Sequence, residues 1–168
     1  LKHRETMQAH GVDIDKMVEI RRDFHKHAEI AFKEADLAEA IDILKSFGLH
    51  DNEIRPCAGT GLVVDIKGQG EPVAKSDCDV IALRADIDAL PMPEHNVGLE
   101  YLTITPYAHM CGHDGHMAML LAGAQLIAIS ELYPQQQDSQ TPVLAGKEGP
   151  GGAEPMIKEG CLDGVDEV

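Results

Sequence analysis

Val80-Ile81-Ala82-Leu83-Arg84-Ala85-Asp86-Ile87-Asp88 opens as a continuous apolar run and closes in charge. Successive side chains of a strand point to opposite faces, so an unbroken apolar run is what a strand buried on both faces requires. Polar residues at the ends of such strands are where open α/β sheets place their sites. Asp86 and Asp88 are one residue apart, so both are expected near the strand tip. The competing reading is that they only solubilise a strand end or cap a turn.

Working upstream, Leu62-Val63-Val64-Asp65-Ile66 predicts a second strand, bounded by Gly59/Gly61 and Gly68/Gly70. Before it, Leu37, Ile41 and Leu44 share one helical face, with Gly48 as the C-cap. Met17, Ile20 and Phe24 fall at i, i+3, i+7 of an earlier helix whose N-cap is expected at Asp15, and His25 and His27 are read as exposed. Residues 1–14 read as a loose polar arm. Downstream, Glu71 to Asp79 reads as a polar loop before the opening strand, and Pro91 and Pro93 start a loop running to about Ala108. Met117 to Leu132 is helix-forming, Pro134-Gln135-Gln136-Gln137-Asp138-Ser139-Gln140 opens a polar linker extending to about 147, and Glu154 to Glu159 is a short helix ended by Gly160. Helices alternating with buried strands predict an α/β sandwich with a mostly parallel sheet.

A length of 168 residues suffices for one sizeable core. The formal net charge of −15 argues against DNA, RNA and anionic membrane as partners, since phosphate-rich surfaces would repel it. Cys57, Cys78, Cys111 and Cys161 form no Cys-x-x-Cys pair and no disulfide framework, so reduced thiols in an intracellular compartment, cytoplasmic or organellar, are expected. The start shows no signal core, and the longest nearly apolar run, Met117 to Ile129, is too short to span a bilayer.

The densest chemistry lies in His109-Met110-Cys111-Gly112-His113-Asp114-Gly115-His116. Thiolate and imidazole suit zinc, cobalt or manganese, and the one-residue gap between Cys111 and His113 would let both face one ion from an extended loop. The alternative is a small buried Cys beside histidines with other partners. Glu148, beside a Gly-rich turn, could approach a metal unobstructed, although Lys-Glu before Pro-Gly is also an ordinary solvated loop.

Taken in order, these segments resemble the co-catalytic metal-dependent amidohydrolase and peptidase family that includes aminoacylase, hippurate hydrolase, carboxypeptidase G and the auxin-conjugate hydrolases. The likeness runs through Ile20–Glu29, Ala82–Pro91, His109–His116, Glu148–Ala153 and Glu159–Asp166. It implies the N-terminal part of the catalytic domain: a three-layer sandwich, incomplete relative to the family, spanning 15–168 and without the lid domain. It further implies that Cys111 bridges two metal ions, that His113 and Glu148 are ligands, and that Asp88 is the catalytic-site carboxylate orienting them. The implied reaction is hydrolysis of the amide of N-acyl amino acids or similar small conjugates by a metal-activated water.

Three departures accompany the likeness. Lys147 stands where the family has its general-base Glu, the apolar strand leading into that position reads as missing, and the lid with its later histidine ligands is absent. An inactive homologue, acting as a structural or binding subunit in a homo-oligomer or larger complex, is therefore the second expectation. Little or no hydrolysis is expected from the isolated chain, because loss of a general base costs about two to four orders of magnitude.

Overall fold

A computed structural model describes residues 2–30, 37–67, 80–129, 141–146 and 152–168 of the chain. Five helices and four strands occur there: α1 (Lys2–Ala9), α2 (Ile14–Lys26), α3 (Leu37–Ser46), β1 (Ile54–Cys57), β2 (Gly61–Ile66), β3 (Leu83–Asp86), α4 (His113–Ile129), β4 (Thr141–Gly146) and α5 (Ala153–Lys158). This is an α/β fold, as the alternation of patterns predicts. The Glu71 to Asp79 loop and the Pro134–Gln140 part of the linker fall outside the described residues, as do Cys78, Lys147 and Glu148.

The apolar stripe of α2 is buried as its period requires, with Met17, Ile20 and Phe24 all inside. Its N-cap is Asp13, not Asp15: Asp13 has extended backbone and its carboxylate accepts the Lys16 N–H at 3.0 Å. Asp15 lies inside the first turn and pairs with Arg4. That pair comes from α1, a helix formed where a loose arm is expected; its Met7 packs against the core. Gly48, at φ +94°, ends α3 as the sequence predicts, in a conformation that L side chains rarely adopt.

The sheet order is β1-β2-β4-β3. β1 pairs antiparallel with β2, β2 antiparallel with β4, and only β3 with β4 is parallel. The mostly parallel sheet expected from sequence is thus not what these strands form. Only Ala58, Gly59 and Thr60 separate β1 from β2, far too few for the crossover a parallel pair needs. β1 itself escapes sequence reading because Pro56 interrupts it; the outer position of the strand in the sheet tolerates a residue without an N–H.

β3 begins three residues later than its apolar run suggests, and it is not buried on both faces. Ile81 and Leu83 are 45% and 40% exposed, because β3 is the outer strand at the other side of the sheet. Ile81 instead bridges in parallel to Glu167. The strand that seemed missing ahead of Lys147 is present as β4, between β2 and β3. Its Pro142 lies opposite Asp65 of β2, and pairing to β3 starts only at Val143, so the missing N–H interrupts no β3 pairing.

β2 organises the interior. Leu62, Val64 and Ile66 join Phe24, Leu44, Leu121 and Ile127 in the main core, while Val63 joins Cys57, Ala82, Met156 and Cys161 in a smaller one. Alternation along one strand thereby binds α2, α3 and α4 to one side and α5 to the other. Among the described residues no helix is long and apolar enough to cross a membrane.

Candidate metal centre

Asp88 follows β3 in a buried segment, Ile87–Ala89, that is tied by the Ala89 N–H to the Glu29 carbonyl. His113 is the first residue of α4 and is 4% exposed. Its Nδ1 lies 2.7 Å from the Asp88 carbonyl oxygen, and an Asp88 carboxylate oxygen lies 3.3 Å from the same nitrogen. A carbonyl oxygen can only accept, so Nδ1 carries the hydrogen of this contact. Metal-ligating histidines are oriented in this way, one nitrogen donating to the protein and the other directed at the ion. On this count the ring fits a metal ligand.

The 109–116 segment is not the extended loop expected. Met110 and Cys111 form a turn, Gly112 adopts φ +81°, and α4 starts at once. Helix geometry splits the cluster: His109 and His113 are buried, whereas Cys111 and His116 are exposed. The His113 and His116 rings lie 5.5 Å apart, tilted by 34°. Asp88 and His113 are thus brought together and Cys111 presents an exposed thiol one turn earlier, while Glu148 lies outside the described residues. Among the described residues no three His, Cys, Asp or Glu side chains are grouped closely enough to hold an ion.

Beside His113 lies a buried ionic chain that the sequence reading does not anticipate. Asp114 is fully buried, and one carboxylate oxygen accepts from Arg21 Nε at 2.8 Å and from His25 Nδ1 at 2.8 Å. His25 Nε2 lies 3.0 Å from Glu94. Glu94 also accepts from the Thr103 N–H at 2.9 Å and from the Asn96 amide at 2.6 Å. His25 is therefore buried, at 5% exposure, and not exposed as expected. The signal was in the helical period, since His25 stands eight residues after Met17, on the face that buries Phe24.

These contacts set the electrostatics. Burial pushes the Glu94 carboxyl upward, but hydrogen bonds from Thr103, Asn96 and His25 outweigh it and bring it down from an ordinary 4.5 to about 2. Burial drives His109 down from 6.5 to about 4, with the Asp114 carboxylate opposing and His25 adding to the shift. His109 is thus neutral near pH 7, and its Nδ1 is buried without a hydrogen-bond partner among the described residues. An apolar cavity of about 700 Å³ lies elsewhere, between α1, α2 and α4, and none of Asp88, Cys111 and His113 lines it.

The depressed Glu94 value has a definite sign. A carboxylate with a folded pKa below its unfolded one stabilises fully above about pH 4.5 and loses that contribution as pH falls towards about 2. Glu94→Gln is expected to cost about 2 kcal/mol at pH 7, the scale of hydrogen bonds to a charged group. The gap to wild type should close between pH 4.5 and 2. Urea unfolding across that range measures it, and a gap independent of pH would show that the charge of Glu94 contributes nothing.

The profile of the peptidase family M20/M25/M40 matches residues 82–168, half of the chain. Thermostable carboxypeptidase 1 of Saccharolobus solfataricus is 34% identical over 92% of this chain and 38% of its own length. N-acyl-L-amino acid amidohydrolase of Geobacillus stearothermophilus is 39% identical over 88% of this chain and 38% of its own length. Among solved structures, the YxeP protein of Bacillus subtilis, described as a dinuclear metal-binding peptidase from the M20 family, superposes with a TM-score of 0.74. It shares 28% identity and is matched over 90% of this chain and 40% of its own. The chain spans about two fifths of the length of these relatives. The run of motifs, the Asp88–His113 geometry and these matches agree, and the chain belongs to the peptidase family M20/M25/M40.

Proposed function

We propose that the chain is the N-terminal part of the catalytic domain of a metal-dependent amidohydrolase that cleaves the amide of N-acyl amino acids or similar small peptide-like conjugates. The observation that carries this reading is the 2.7 Å hydrogen bond from His113 Nδ1 to the Asp88 carbonyl, the kind of tie by which ligating histidines are oriented. Cys111, His113 and Glu148 would hold the ion, of the zinc, manganese or cobalt class and two in number in the whole protein, and Asp88 orients His113. Glu148 stands two residues after Gly146, the β4 partner of Asp86. When bound, such an ion supplies Lewis acidity to a water and to the amide carbonyl.

The substrate class follows from what the relatives are named for: N-acyl amino acids in one case, peptides in another. The comparisons lend no support to an inactive structural or binding subunit. The three-layer sandwich belongs to the same proposal. Helices pack against both faces of β2.

The test is cobalt binding to the purified protein, followed by release of amino acid from N-acetyl and N-benzoyl amino acids. A thiolate-to-cobalt absorption band is expected, lost in Cys111→Ser. Hydrolysis by the full-length protein should disappear with chelator and return with metal. Hydrolysis that survives exhaustive chelation would overturn the proposal.

A further inference from the structure

We propose that His25, together with Arg21, is a positioning residue for the metal ligand His113, acting through Asp114. The inference rests on the reading of His113 as a ligand. His113 and Asp114 are the first two residues of α4, so whatever fixes Asp114 fixes the helical turn that carries the His113 ring.

The chain arrives through Gly112, which has no side chain to cap the helix, and Gly115 follows one residue after Asp114. Asp114 is fully buried, and its ties among the described residues, Arg21 Nε and His25 Nδ1 at 2.8 Å each, come from α2. His25 is itself anchored at its far nitrogen by Glu94, which the 96–103 stretch holds through Asn96 and Thr103. The ring thus bridges two carboxyl groups, one at each nitrogen. From the opposite side the His113 ring is gripped by the Asp88 carbonyl. The ligand is thus clamped between the end of β3 and a charged chain reaching back to α2. Arg21 and Arg22 further rest their guanidinium groups on Tyr101, at 5.4 and 5.0 Å from its ring centre, which fastens α2 to the same loop.

A purely structural chain would affect stability alone, whereas a positioning chain must also set the state of the His113 ring. The experiment uses the full chain labelled with ¹⁵N in its imidazoles, without metal, and then titrates it with Co²⁺. Wild type is expected to show His113 as the Nδ1–H tautomer. His25→Gln, whose single amide cannot span both carboxylates, should give mixed tautomers and a Co²⁺ affinity about 10–100-fold weaker, the usual cost of losing an outer partner of a metal ligand. Arg21→Met removes the other tie to Asp114 while keeping the buried His25 link, so it preserves the fold if His25→Gln does not, and it should move both readouts in the same direction. An unchanged tautomer and unchanged affinity in a folded variant would overturn the proposal and leave a structural role only. A tautomer shift in a protein whose wild type never takes up Co²⁺ would uphold the positioning and remove the metal reading instead.

Discussion

Asp114→Ala is expected to lower the free energy of unfolding by about 3–5 kcal/mol, the cost of removing one partner of a buried charge pair. The carboxylate is fully buried, and deleting it strands the His25 ring beside Glu94 and leaves the half-buried Arg21 guanidinium without its partner. The buried His25 ring cannot recover its hydration without moving α2 away from α4. A domain of ordinary stability has about 5–15 kcal/mol in all, so this one change takes much of it. Asp114→Asn, which keeps the shape and one acceptor, should cost less. The ordering of the two variants in urea unfolding is therefore as informative as the size of the larger effect. A loss below about 1 kcal/mol for Asp114→Ala would mean that the ionic chain contributes no more than a surface pair.

How much of this could be read from the sequence depended on whether a residue's partner was local. The α2 stripe, the α3 stop at Gly48, β2 and the α5 stop at Gly160 all rest on spacing within a few residues, and each is found in the structure. β1 and β4 were obscured by Pro56 and Pro142, which look like strand breakers until the outer position of β1 and the late start of β3–β4 pairing show where a missing N–H is harmless. The antiparallel pairing of β2 with β4 joins segments far apart in the chain, and no local pattern announces it. At the site, ligand density marked the 109–116 segment, but the helix start at His113 decided which side chains turn inward. The burial of His25 is hidden from the sequence for a related reason: a histidine on a buried face is costly alone, and the two carboxylates that make it acceptable, Asp114 and Glu94, are 89 and 69 residues away.

The second large effect is expected at His113 itself. His113→Ala should weaken Co²⁺ binding by more than the roughly 100-fold that marks the upper end for loss of an outer-shell partner, because it deletes a donor and not merely its orientation. The stability cost should be modest by comparison. The lost hydrogen bond to the Asp88 carbonyl contributes about 1 kcal/mol, less than breaking the buried charge pair that joins Asp114 to α2. The two neighbouring residues should therefore separate cleanly: Asp114→Ala acting first on folding, His113→Ala first on the metal. Equilibrium dialysis against Co²⁺ beside urea unfolding makes the comparison. Should His113→Ala bind Co²⁺ within threefold of wild type, the His113 ring is not a ligand. The centre would then have to be rebuilt around Cys111 and residues elsewhere in the protein.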